Sequence, residues 1–176
     1  MRSNWSNWFF AVAGFCLVVS VLFTESYPTA VAQEGAGRAS LTIDLVGFKD
    51  TSGKASICLF DNENSFKSAD ARKHRKELEK YLRSVVDGPI QVAGNNLSAK
   101  CKIENLPPGE YAAFAFHDGN GNGKVDSNLV GVPTEGFGFS NDIRPQVFPI
   151  PKAPTWRAVS FVVRPGENTI RIHVVD

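Results

Sequence analysis

The chain is 176 residues long, with 19 Lys and Arg against 18 Asp and Glu, a formal net charge of +1, and 43 % hydrophobic residues. So small a net charge leaves no global field to draw nucleic acid or acidic lipid. With a leader set aside, the remainder is long enough for one core and too short for two.

The leader comes first in chain order. Arg2 supplies a positive charge, and Phe9 to Phe23 form an uncharged apolar run that Thr24, Glu25 and Ser26 end. About fifteen residues fall short of the roughly 20 needed to cross about 30 Å of hydrocarbon. The run therefore reads as the core of a signal peptide, and Ala30-Val31-Ala32 offers small residues where a peptidase cuts. The expectation is a signal peptide over 1–32, cleavage before Gln33, a periplasmic or secreted product, and no transmembrane span after cleavage. Phe15 ahead of Cys16 argues against a lipoprotein.

From Gln33 onward, short β-branched and aromatic stretches are separated by Gly, Pro, Asn and Asp, the pattern of an all-β domain over 33–176. Strands are expected at 40–48, 54–61, 89–93, 97–105, 110–117, 157–164 and 168–175. Seven strands suit a β-sandwich. Turn chemistry marks Thr51-Ser52-Gly53, Pro107-Pro108-Gly109 and Pro165-Gly166-Glu167-Asn168. One segment departs from the pattern: Ala71, His74, Leu78, Tyr81, Leu82 and Val85 recur at three- and four-residue spacing, which predicts one inserted α-helix over 66–86. Its basic face, with Lys73, Lys76, Lys80 and Arg83, reads as a solvated surface. The stretch Pro145 to Pro154 reads as an irregular loop.

Two cysteines follow the leader, Cys58 and Cys101, each in an expected strand. In an oxidising compartment an even number favours a disulfide, and closing roughly 43 residues would contribute about 3 to 4 kcal/mol. The alternative is a pair of buried thiols acting as small hydrophobes.

Chemistry concentrates after the fifth strand. In His117-Asp118-Gly119-Asn120-Gly121-Asn122-Gly123-Lys124-Val125-Asp126 the oxygen side chains recur at every second position. The opening D-x-N-x-N-G matches a calcium loop, in which alternate side chains point to one centre and a Gly permits the bend. Asp118, Asn120 and Asn122 supply side-chain oxygens, Lys124 its carbonyl, and Asp126 a carboxylate. The twelfth position is Leu129 rather than Glu, so this is not an ordinary EF-hand, and Glu135 is the expected completing ligand. Hard oxygen donors point to calcium (Ca2+) as the cofactor. Gly and Asn also suit a plain turn, which remains the alternative.

The same block, with Leu106-Pro107-Pro108-Gly109-Glu110-Tyr111-Ala112 before it and Gly131-Val132-Pro133-Thr134-Glu135-Gly136-Phe137-Gly138-Phe139-Ser140-Asn141 after it, resembles the bacterial secreted proteins of the domain of unknown function 2141 family. The resemblance implies an exported sandwich of the transthyretin-like, Ig-like kind, and brings no assigned activity with it. The family pattern usually has Glu where this chain has Gly119.

The preferred functional reading is a non-catalytic envelope module, calcium-stabilised, that binds a partner protein or glycan. His117, Phe137 and Phe139 are its expected ligand-binding residues. The competing reading is a metal-dependent hydrolase-like enzyme with His117 as base or ligand and Asp118 or Glu135 as its partner. It lacks a second His nearby and a Ser in a nucleophile motif.

Overall fold

Along β1 (Ala39–Val46) burial alternates with a period of two: Ala39, Leu41, Ile43 and Leu45 are buried, and the residues between them are only partly so. The computed structural model describes residues 37–69, 73, 75–143 and 153–175. The expected leader over 1–32, Cys16, Ala71, His74 and most of the Pro145–Pro154 stretch lie outside the described residues.

The first sheet runs β4 (Gln91–Ala93), β5 (Asn96–Leu106), β1, β9 (Gly166–His173). β5 lies antiparallel to β1, whereas β9 lies parallel to it, with Ala39 opposite Gly166 and Val46 opposite His173. Near its end β5 carries one residue more than β1. Ala39 faces Leu106, yet Leu41 faces Ile103. Asn105, at φ 59°, sits in this bulge, a conformation that Asn tolerates better than most side chains.

The second sheet runs β3 (Ser84–Gly88), β2 (Lys54–Phe60), β6 (Gly109–Asp118), β7 (Phe137–Phe139), and β8 (Phe161–Val163) also pairs with β6. β2 and the last eight residues of β6 are buried almost throughout because both faces are covered. One face sends Ile57, Leu59, Ala113 and Ala115 into the core against Leu41, Ile43 and Leu45 of the first sheet. The other sends Cys58, Phe60, Ala112, Phe114 and Phe116 into an outer aromatic cluster. That cluster is completed by Phe66 of α1 (Glu63–Ser68), Phe139, and Trp156 and Val159 of α3 (Trp156–Val159). Ser140 fastens this layer: its Oγ accepts the Ala113 N–H at 3.0 Å and lies 2.5 Å from the Val159 carbonyl.

The molecule is thus all-β in class, two sheets with short helical pieces, but with nine strands among the described residues rather than seven. The expected helix over 66–86 is corrected as well. Helical structure begins earlier, at α1, where the Asn62 side chain accepts the Ser65 N–H at 2.8 Å and caps the first turn. It resumes in α2 (Arg75–Leu78) and a 3₁₀ turn over Glu79–Tyr81. Val85 and Val86 then enter β3, paired with Cys58 and Ile57 of β2. Their β-branched side chains fit a sheet edge, and that pairing ends the helical period. The strand expected at 157–164 likewise begins as the turn α3.

The expected disulfide does not form. Cys58 points to the outer cluster and Cys101 to the core between the sheets, so the backbone of the second sheet stands between the two thiols. Cys101 packs against Gly88, where a Cβ would lie 2.6 Å from its Sγ. Burial pushes the Cys101 thiol pKa up.

At one corner the sheets are stitched together. Phe137 and Val175 exchange backbone hydrogen bonds at 3.1 and 3.0 Å, and β9 comes so near β7 that a Cβ on Gly138 would lie 2.1 Å from the His173 carbonyl oxygen. Only glycine fits there. Among the described residues no helix is long and apolar enough to cross a membrane.

Candidate functional site: the loop after β6

β6 ends in His117 and Asp118, and strand alternation sends them to opposite faces of the second sheet. Asp118 is fully buried. Its Oδ2 accepts the N–H of Gly123 at 3.0 Å, across a bend in which Gly121 and Gly123 take φ of 73° and 74°. Its Oδ1 is buried with no hydrogen-bond partner. Directly opposite on β2 stands Lys54, whose Nζ lies 3.8 Å from Asp118 Oδ2 and 3.0 Å from Asp87 Oδ2. Asp87 is held in turn by the Ser56 hydroxyl, which donates to Oδ1 at 2.8 Å.

The loop itself is made of successive side-chain turns. Asn120 Oδ1 accepts the Asn122 N–H at 3.0 Å, and Asn122 Oδ1 accepts the Lys124 N–H at 3.1 Å. Both amide groups donate to Asp126 Oδ2, at 2.6 and 2.8 Å. These bonds, from Asn122 first and Asn120 second, hold the Asp126 carboxyl below the usual carboxylate range. The Lys124 ammonium, 3.5 Å from Oδ1, adds to the effect. Val125 turns the other way into the outer aromatic cluster and anchors the loop.

Glu135 spans the loop's two ends. Oε1 accepts the Gly119 N–H and Oε2 the Asp126 N–H, each at 3.0 Å. The expected ligands Asp118, Asn120, Asn122, Lys124, Asp126 and Glu135 therefore belong to one hydrogen-bonded structure. No three carboxylate, imidazole or thiol groups converge among the described residues. A cation held here would depend on the Asn carbonyls and the Lys124 backbone oxygen as well as on the carboxylates. Each Asn Oδ1 and each Glu135 oxygen keeps a lone pair beyond the hydrogen bond it accepts.

His117 stands apart from Asp118. It is 6 % exposed, with Nε2 2.8 Å from the Ser52 carbonyl, which can only accept, so Nε2 carries the proton. Phe48 meets the ring edge-on, at 5.5 Å between centroids. Asp50 Oδ1 lies 3.7 Å from Nε2, and hydrogen bonds from Ser52 hold the Asp50 carboxyl low. Beside Gly119 there is room for a side chain: a Cβ would lie 3.5 Å from Ser52 Oγ, 3.8 Å from Glu135 Oε1 and 3.9 Å from His117 Nε2.

Phe137 and Phe139 turn toward the protein. Phe139 is buried, 5.0 Å from the Phe114 ring, and Phe137 is half-buried, 6.1 Å from the same ring. The exposed apolar side chains of this region are instead Leu129 and Val130. They sit at a turn whose N–H groups at Val130 and Val132 are taken by Asn128 Oδ1.

Sequence reasoning missed Lys54, Ser56 and Asp87. No motif marks them, because they reach Asp118 only through the pairing of β3, β2 and β6.

Residues 43–171 match the bacterial family described as uncharacterized protein conserved in bacteria (DUF2141), and the chain belongs to that family. No curated protein and no solved structure matches the chain.

Proposed function

We propose that this member of the DUF2141 family is an exported, non-catalytic envelope domain of the transthyretin-like or Ig-like sandwich type. In this reading its 118–126 loop takes up calcium and so steadies a surface that binds a partner protein or glycan. One observation carries the calcium reading: Asp118 Oδ1 is a buried carboxylate oxygen without a donor. An oxygen so placed is costly unless something positive satisfies it. A hard dication would do so, with Asn120 and Asn122 carbonyls, the Lys124 backbone oxygen and Asp126 as further donors. Glu135, already bound to both ends of the loop, serves as its frame and keeps acceptor capacity for the ion.

So few carboxylates suit the weak range of about 10⁻⁴ to 10⁻³ M typical of extracellular modules. That agrees with the export expected from residues 1–32.

The test is thermal unfolding of the protein with calcium, magnesium, zinc or chelator, beside Asp118→Asn and Asp126→Asn variants. At a calcium concentration ten times the Kd, mass action stabilises the fold by about 1.4 kcal/mol, a rise of roughly 3 to 6 °C. The rise should be selective for calcium and lost in both variants. A melting temperature indifferent to calcium, or one that responds to zinc alone, overturns the reading.

A further inference from the structure

We infer that Lys54 is the resident counter-cation of the 118–126 loop and sets the calcium concentration at which the loop fills; the inference rests on the calcium reading above. β2 and β6 pair Lys54 directly opposite Asp118, and cross-strand partners share a face of the sheet. The Lys54 side chain is 30 % exposed, whereas Asp118 is fully buried. The lysine therefore reaches inward from the rim to a charge that water does not reach.

Its ammonium is held from behind. Asp87 Oδ2 grips it at 3.0 Å, and Asp87 is fixed by Ser56. Held so, it faces Asp118 Oδ2 at 3.8 Å. That distance supplies charge compensation without a hydrogen bond, and it acts on the oxygen that already accepts Gly123. Oδ1, the oxygen with no partner, is left open. Lys54 thus does half of what a metal ion would do: it neutralises the carboxylate but does not coordinate it.

Two consequences follow. Without calcium, Lys54 is the opposite charge that compensates the buried Asp118 side chain, since a buried charge robbed of its partner is strongly destabilising. With calcium, the same ammonium sits beside a dication and opposes it. A +2 and a +1 charge about 6 Å apart repel enough to weaken binding about tenfold even at the dielectric of bulk water, and by more where the carboxylate is buried.

Calcium titrations and melting curves of the protein expressed from the full 176-residue chain test this with Lys54→Met, which keeps the stem and removes the charge, and Lys54→Arg, which keeps both. Lys54→Gln replaces the Met variant if the latter is too unstable to titrate. The neutral variant should melt several degrees lower in chelator, bind calcium about tenfold more tightly, and gain more stability from calcium than wild type does. Lys54→Arg should stay near wild type. The affinity difference should shrink as ionic strength rises past about 0.1 M, where the Debye length is about 10 Å.

Calcium binding by wild type with an unchanged or weaker affinity in the neutral variant overturns this inference and leaves the calcium reading standing. Binding by the neutral variant alone overturns both the reading and the inference, because the native loop would then not fill at all. Failure of both proteins to bind overturns inference and reading together.

Discussion

Asp126 shows how a single side chain carries the loop's pH dependence. Its carboxylate gathers the Asn120 and Asn122 amides, and those bonds lower its pKa in the folded protein. The same holds for Asp142, lowered by the His173 ring 2.8 Å away. A carboxyl whose folded pKa is depressed contributes stability that is complete above its unfolded value of about 3.9 and is lost as the pH falls through the folded value. The melting temperature should therefore hold steady from neutrality to about pH 4 and decline below it. Asp126→Asn should flatten part of that decline and remove any calcium response at every pH. A decline that begins near pH 6 would point to imidazoles instead.

The alternating oxygens from Asp118 to Asp126 were legible because a loop that folds on its own side chains writes its spacing into consecutive residues. The partners of Asp118 were not. Lys54 lies 64 positions away and meets it through strand register, and Asp87 lies one residue past the segment, 66–86, whose periodicity predicts a helix.

Elements were legible in proportion to the contrast between their faces. β1 and β5 have one wet face, and their alternation marks them clearly. β2 is buried on both faces, which leaves the strand recognisable but hides the side on which Cys58 points. The 66–86 segment misled for a related reason. Val85 and Leu82 continue a helical spacing by coincidence, while their burial comes from β3 and the outer cluster.

That cluster is where the helical pieces matter. Phe66 is the single buried residue of α1, and its ring meets Phe60, Phe139 and Trp156 edge-on at 5.3, 6.1 and 6.0 Å. Phe66→Ala should cost about 3 to 5 kcal/mol in urea unfolding, and α1 should lose its amide protection with it. A cost below about 1 kcal/mol would mean that α1 is not part of the cooperative unit.

At the scale of the whole molecule, the second sheet works as a partition with a core on either side. Cys58 belongs to one and Cys101 to the other. Reductant should leave the melting temperature unchanged, and both thiols should resist an alkylating reagent until denaturant is added, as peptide mass spectrometry would read directly. A fall in melting temperature on reduction would mean that the strands can bring the two sulfurs together.

The parallel pairing of β1 with β9 has a further consequence for a chain that is made, or threaded through a pore, N-terminus first. β1 is the first of the described strands to emerge, and its eight residues wait for partners between Gly166 and His173, in the last of the described strands. Until then β1 has one bare edge, and the Phe137–Val175 stitch between the sheets is missing too. Such long-range closure makes folding slow and leaves that edge open to wrong partners. The two sheets therefore close only after residues 166–175 have been delivered, and any holding factor that meets the chain before then must shield β1.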